Sequence, residues 1–151
     1  MSHALEIFAV AARFAAAGVL VIIGGLHVAW ALGSPFPARS RSALAQHVIG
    51  VEPSGRLMPG QFATWVVAVG LFLLAACVVA LGLEVGATVG SALRAVALVF
   101  AAIFTLRGVG GFFEVALRPA ILGTPYMKWS RMFYSPLSLL LALLIAVGAQ
   151  P

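Results

Sequence analysis

Residues Gln61 to Leu83 read QFATWVVAVGLFLLAACVVALGL, with no Lys, Arg, Asp or Glu among them. Wound as an α-helix at 1.5 Å per residue, such a run reaches about 35 Å, enough to cross the ~30 Å hydrocarbon core of a bilayer. It shows no sustained period-2 alternation and exceeds the roughly 9–11 residues of a barrel strand. The stretch therefore reads as a transmembrane helix, and the fold class as all-α.

The rest of the chain has the same character. Of 151 residues, 63% are hydrophobic and 9% are charged, and the mean hydropathy is +1.13. A soluble domain carries about a quarter charged residues, which it needs to cover its outside. This chain cannot supply that cover, so its solvent is lipid. The single cysteine, Cys77, lies inside the quoted run and permits no internal disulfide.

Outward from Gln61–Leu83, three further apolar runs give an integral membrane bundle of four transmembrane helices in one domain, 1–151. The spans are expected at about 5–33, 61–83, 88–117 and 133–149. Phe14 to Gly33 holds no acidic or basic residue apart from His27. Glu6 and Arg13 precede it, and the apolar run is longer than the core of a signal peptide, so it reads as a span. The third run is interrupted by Arg107 and ends near Glu114. The fourth is short. Ser135-Pro136 resembles an N-cap with proline at the first helical position, which leaves only about 21 Å of helix up to Ala149. Either the helix begins before Pro136 and kinks there, or the bilayer is locally thin.

Loops 34–60 and 118–132 are separated by two spans and so share a side. The first is rich in Pro, Ser and Gly, and Arg39 to Val51 reads either as a short interfacial helix or as a polar loop. Six of the nine basic residues, Arg39, Arg41, Arg56, Arg118, Lys128 and Arg131, fall in these two loops. The positive-inside rule then puts both loops in the cytoplasm and both termini outside. The excess of positive charge is accounted for by orientation, so nucleic acid is not an expected partner.

Ionisable residues within spans are costly, about 2.5–3.5 kcal/mol at the centre on insertion scales. Counted from the loop side, Glu114 lies about 6 Å deep, His27 about 10 Å and Arg107 about 16 Å. On a helix, Arg107, Gly111, Glu114 and Arg118 fall within about 40° of one another, and Arg13, Ala17, Gly24, His27 and Ala31 form a similar stripe. Both stripes are expected to face the interior, with Gly24 and Ala31 admitting a close neighbour. Arg107 and Glu114 stand about 10 Å apart along the axis, so a water or a third residue serves as well as a direct contact. The starts of the second and fourth spans add Gln61, Tyr134 and Ser135. The candidate polar pocket is thus His27, Trp30, Gln61, Arg107, Glu114, Tyr134 and Ser135.

Each of these residues also has a plain structural role available. Arg107 and Glu114 serve equally as a pair fixing helix packing. His27 serves as an interhelical hydrogen-bond partner, and Trp30, Trp65, Trp129 and Tyr134 as an interfacial aromatic belt. Gly86 and Gly90 match the small-residue dimer spacing, but close to a helix start. His27 is the one histidine within a span, so a bis-histidine haem has no second ligand. No H-E-x-x-H, C-x-x-C or phosphate-binding glycine loop is present, and no pair of carboxylates is set for acid–base work. No metal site, catalytic set or cofactor is assigned.

Four motifs, in order, carry a family resemblance. Gly25-Leu-His-Val-Ala-Trp-Ala-Leu-Gly33 resembles the G-x-H-x-x-W-A-x-G signature of the DUF3995 family, small bacterial membrane proteins of unknown function. Met58-Pro-Gly-Gln-Phe-Ala-Thr64 is similar to that family's second-helix start, and Leu106-Arg-Gly-Val-Gly110 to its L-R-x-x-G. Arg131-Met-Phe-Tyr-Ser-Pro-Leu137 resembles its R-x-Y-S-P-L, one residue longer between Arg131 and Tyr134. Two positions depart from the pattern: Trp129-Ser130 stands where an acidic residue is common, and Gly111 where an acidic or aromatic one is. The resemblance implies the four-helix fold and the matched residues His27, Trp30, Arg107, Tyr134, Ser135 and Pro136, and implies no activity.

The expected function is non-enzymatic: a one-sided polar pocket binding a lipid, quinone or other amphipathic molecule, or an accessory subunit of a membrane complex. Membrane lipids, an amphipathic ligand and either a homo-oligomer or a larger complex are the expected partners, in the bacterial plasma membrane. The alternatives are a membrane enzyme in which His27 or Glu114 moves a proton, and a small proton-linked transporter lined by Arg107 and Glu114.

Overall fold

A computed structural model describes residues 3–50 and 60–150. Four helices are long and apolar enough to cross a membrane: His3–Ala31, Gln61–Ala80, Ala87–Leu117 and Pro125–Gly148. The first three are α1 (His3–Ala31), α3 (Gln61–Ala80) and α4 (Ala87–Leu117), and the fourth is built from α5 (Pro125–Trp129), a π turn (Ser130–Tyr134) and α6 (Ser135–Gly148). A short helix α2 (Arg41–Val48) and a 3-10 turn (Pro119–Ile121) complete the order. No strand occurs among the described residues.

Helix starts follow from local chemistry. Ser40 caps α2, its hydroxyl accepting from the Ala43 N–H at 3.1 Å, which satisfies one of the orphan donors of the first turn. Thr124 does the same for α5, with Pro125 in the first turn, where a missing N–H costs nothing. The segment read as either interfacial helix or polar loop is thus a helix over Arg41–Val48; Val51 lies outside the described residues.

The fourth span differs from its expected bounds of 133–149, for a physical reason. The helix begins at Pro125 and runs through Pro136, so its 24 residues reach about 36 Å. Proline lacks an N–H and crowds the turn before it, which breaks a regular helix. Here that turn is widened: the Ser135 N–H donates to the Ser130 carbonyl, five residues back. The Ser138 hydroxyl adds a bond to the Tyr134 carbonyl at 2.8 Å.

The helices lie in the order α3, α1, α6, α4, with α1 packed between α3 and α6, and α6 between α1 and α4. The core is formed by Ala16, Ala17 and Leu20 of α1, Leu74, Ala75 and Val78 of α3, Ala97 and Ala101 of α4, and Leu141 and Ile145 of α6. These positions all fall in the half of the bundle near the termini. Large apolar side chains such as Phe62, Leu106 and Leu117 point outward, more than 70% exposed. That is an outside suited to lipid, and the chain is an integral membrane protein. Among the described residues Arg107 and His27 share no hydrogen bond: His27 lies against a carbonyl of its own helix and Arg107 bonds to Tyr126.

The two ends are distinct. At one, Arg13 Nε donates to the Gly148 carbonyl at 2.7 Å and a terminal nitrogen to that of Gln150 at 3.2 Å. A cation thus closes the C-terminus of α6, where the helix dipole favours it. Gly82 of the α3–α4 turn lies beside the same guanidinium. At the other end, α2 and the segment after α4 pack together, so the two long connections share an end.

Candidate functional site

The polar residues at the loop end form a chain of contacts along α4. Arg107 donates to the Tyr126 hydroxyl at 3.3 Å, and that hydroxyl donates to Glu114 Oε2 at 2.7 Å. Arg118 pairs with Glu114 Oε1 at 2.7 Å and reaches the Ile49 carbonyl beyond α2 at 3.1 Å. Its guanidinium also lies 5.9 Å from the centre of the Tyr126 ring, within cation–π range. Tyr126 is 4% exposed. It is the third residue that the spacing of Arg107 and Glu114 allowed for. It went unassigned in the sequence because 118–132 reads as a loop, and Thr124-Pro125 as a helix start was the signal for it.

Gly50 seats the end of α2 on that ring. Its φ is +69°, and a β-carbon there would stand 2.8 Å from the Tyr126 ring edge, so both conformation and space call for glycine. The Tyr134 hydroxyl donates to the His47 carbonyl at 3.2 Å. Together with buried Leu44 and Ala45, these contacts hold α2 across the end of the bundle.

Behind α2 lies a cavity of about 370 Å³, lined by Leu26, Trp30, Leu44, His47, Trp129 and Phe133, among others that include Tyr134. It is predominantly apolar and aromatic. Trp30 is fixed by its indole N–H donating to the Phe36 carbonyl at 2.6 Å. His47 Nδ1 lies 2.7 Å from the Ala43 carbonyl.

A second polar cluster occupies the other face of the π turn. Ser130 and Ser135 are 1% and 0% exposed; among the described residues neither hydroxyl makes a hydrogen bond of good geometry, though Ser130 lies close enough to the Tyr126 side chain to interact with it. Both point at Gly111 of α4. A β-carbon on Gly111 would run into Ser135 Oγ and stand 2.6 Å from Arg107 Nη1 and 3.2 Å from Ser130 Oγ. Gly108, one turn earlier, meets Leu139 just as closely. Small residues thus let α4 and α6 approach at this crossing.

The seven residues read as one pocket from the sequence are placed in three settings. Arg107, Glu114 and Ser135 belong to the α4 crossing, and Trp30 and Tyr134 to the cavity. His27 Nδ1 lies 2.8 Å from the Ile23 carbonyl of its own helix, and its ring sits 4.8 Å from that of Trp30. Gln61, exposed at the start of α3, donates to the Ala31 carbonyl at 2.8 Å and caps α1. Residues 58 and 59 of the second-helix motif lie outside the described residues. Among the described residues no group of three His, Cys, Asp or Glu is arranged to hold a metal.

Residues 20–145 match the family described as protein of unknown function DUF3995. The chain is a member of DUF3995. No curated protein and no solved structure matches it. Within this DUF3995 protein, the stretch from Arg131 to Leu137 has one residue more than the R-x-Y-S-P-L pattern, and it overlaps the π turn.

Proposed function

We propose that this DUF3995 protein binds a hydrophobic or amphipathic small molecule, of the lipid or quinone class, in the aromatic cavity under α2. The cavity itself is the observation that carries this reading. Its volume falls within the range of small-molecule sites, its walls are apolar and aromatic, and its polar atoms are few. Trp30 and Tyr134 use their polar tips on backbone carbonyls, which leaves their ring faces to pack against a ligand. A polar end would meet His47. The role is binding rather than catalysis, since the cavity offers shape and apolar contact. We place this end at the cytoplasmic face of a bacterial plasma membrane, on the strength of the basic loops.

The experiment is titration of a short-chain quinone into the protein in lipid nanodiscs, read by tryptophan fluorescence. Trp30, Ala38 and Trp129 line the cavity, so saturable quenching is expected, reduced at least tenfold in affinity by Ala38→Phe, which fills it. Unsaturable quenching that is equal in both proteins defeats the reading. Mass spectrometry of small molecules co-purified in native lipid particles identifies the natural occupant.

A further inference from the structure

The cavity under α2 presents few polar side-chain groups, and the bonds they already make fix what each has left to offer. His47 Nδ1 lies 2.7 Å from the Ala43 carbonyl of its own helix. A carbonyl oxygen only accepts, so Nδ1 must carry the proton. In the neutral ring Nε2 is then a bare lone pair, and among the described residues the bond at Nδ1 is the only one His47's ring makes.

The other polar groups of the lining are committed in a similar sense. The Tyr134 hydroxyl gives its proton to the His47 carbonyl at 3.2 Å, which leaves its oxygen able only to accept. The Trp30 indole N–H, a donor without a lone pair, is spent on the Phe36 carbonyl at 2.6 Å. Trp129 keeps its indole N–H, in a side chain 46% exposed.

An acceptor in an apolar wall sorts ligands by their donors. His47 is half-buried, so a ligand filling the cavity takes water away from Nε2. A ketone, ether or quinone carbonyl then sets lone pair against lone pair and leaves Nε2 unsatisfied, which is costly. A carboxylate does the same with a negative charge added. A hydroxyl donates to Nε2, and its oxygen remains able to accept from the Trp129 N–H. The rings of Trp30, Trp129 and Phe133 in the lining favour a hydroxyl that is itself borne on an aromatic ring.

We propose that the ligand of this cavity is a lipophilic phenol, hydroquinones included, with His47 Nε2 accepting the hydrogen bond of its hydroxyl. This assignment rests on the cavity being a small-molecule site, and it narrows the ligand class. Of a quinone and its reduced form, the hydroquinone is the one held more tightly.

The test is thermal unfolding of the full chain in lipid nanodiscs at pH 8, with 4-hexylphenol and its methyl ether, 4-hexylanisole. The two are close in shape and differ in the O–H. A ligand that binds only the folded state raises the melting temperature with concentration. Counted as mole fraction in the bilayer, the phenol is expected to act at a level roughly tenfold below the ether, the effect of one hydrogen bond to a desolvated acceptor. Ala38→Phe, which fills the cavity, is expected to remove both responses. His47→Phe keeps a ring without an acceptor and is expected to respond to the two ligands alike. The ligands are compared within each protein, so a change in that protein's own stability cancels. If His47→Phe does not fold, the 15N resonance of His47 Nε2 in histidine-labelled protein decides: it is expected to move with the phenol and not with the ether.

Equal action of phenol and ether, lost in Ala38→Phe, overturns the hydroxyl preference and leaves the cavity standing as a binding site. A preference that persists in His47→Phe, or an Nε2 resonance that the phenol does not move, overturns His47 as the acceptor. No response to either ligand, or one that Ala38→Phe leaves unchanged, defeats the cavity reading and this assignment with it.

Discussion

The Tyr126 hydroxyl stands between Arg107 and Glu114, accepting from the first at 3.3 Å and donating to the second at 2.7 Å. Two residues of one helix, too far apart along α4 for an easy direct contact, are thereby joined through a side chain from the next. The link also sets the depth of α5, because the ring that carries the hydroxyl packs under Gly50.

Removing that hydroxyl takes from Arg107 its one hydrogen bond among the described residues and leaves Glu114 with Arg118 alone. Tyr126→Phe keeps the ring and its contact with Gly50 while leaving one Glu114 oxygen without its donor. The expected loss is about 1–3 kcal/mol, the cost of an unsatisfied group near a charge. Tyr134→Phe gives up one bond to a backbone carbonyl and is expected to lose about 1 kcal/mol. Reversible denaturation in mixed micelles ranks the two, and an equal or inverted ranking contradicts the central place given to Tyr126.

Arg107 and Arg41 differ in what surrounds them. Arg107 lies half-buried against Tyr126 and Gly111, whereas Arg41 is exposed at the start of α2. Arg107→Leu is therefore expected to lower the melting temperature by several degrees more than Arg41→Leu. If both proteins express, purify and melt alike in detergent, Arg107 has no structural or binding role at the crossing.

Much of this was legible in the sequence because lipid imposes a simple code. Uncharged runs of about 20 residues must be helices, since every backbone group has to be satisfied within the segment. The grouping of Arg107, Gly111 and Glu114 followed from helical periodicity alone. Ser130 and Tyr126 were missed for a different reason. Pro136 by itself signals a helix start, so a start before it stood as only one of two readings, and the Thr124-Pro125 cap that marks it was passed over; the π turn between them has no such signal. His27 was legible as polar and inward, but its acceptor is the backbone of its own helix, a local option that no spacing rule excludes.

Glycines at the α4–α6 crossing give a graded test of packing. Ala at Gly108 would bring a β-carbon to 2.6 Å from Leu139 Cγ, and at Gly111 into Ser135 Oγ. Overpacking of this kind costs about 1–3 kcal/mol where backbones are closely set. Gly18→Ala meets nothing within 4 Å and is expected to be neutral, or to stabilise by about 1 kcal/mol through helix propensity. Melting of the three variants in one detergent checks the order, and a Gly111→Ala protein as stable as Gly18→Ala would mean that the crossing is looser than described.

Sidedness rests on charge, and it can be read directly. Six basic residues lie in the connections at the α2 end, while Arg13 and Arg94 at the other are matched in number by Glu6 and Glu84. That bias is the kind that orients insertion. Ser42 is exposed on α2 and its neighbour Ser40 caps that helix, so Ser42→Cys in a Cys77→Ala background introduces a thiol without removing the cap. In intact cells it is expected to react with a membrane-permeant maleimide and to be spared by an impermeant one until the cells are lysed. Efficient labelling by the impermeant reagent in intact cells would reverse the orientation, and with it the membrane face from which the cavity under α2 is reached.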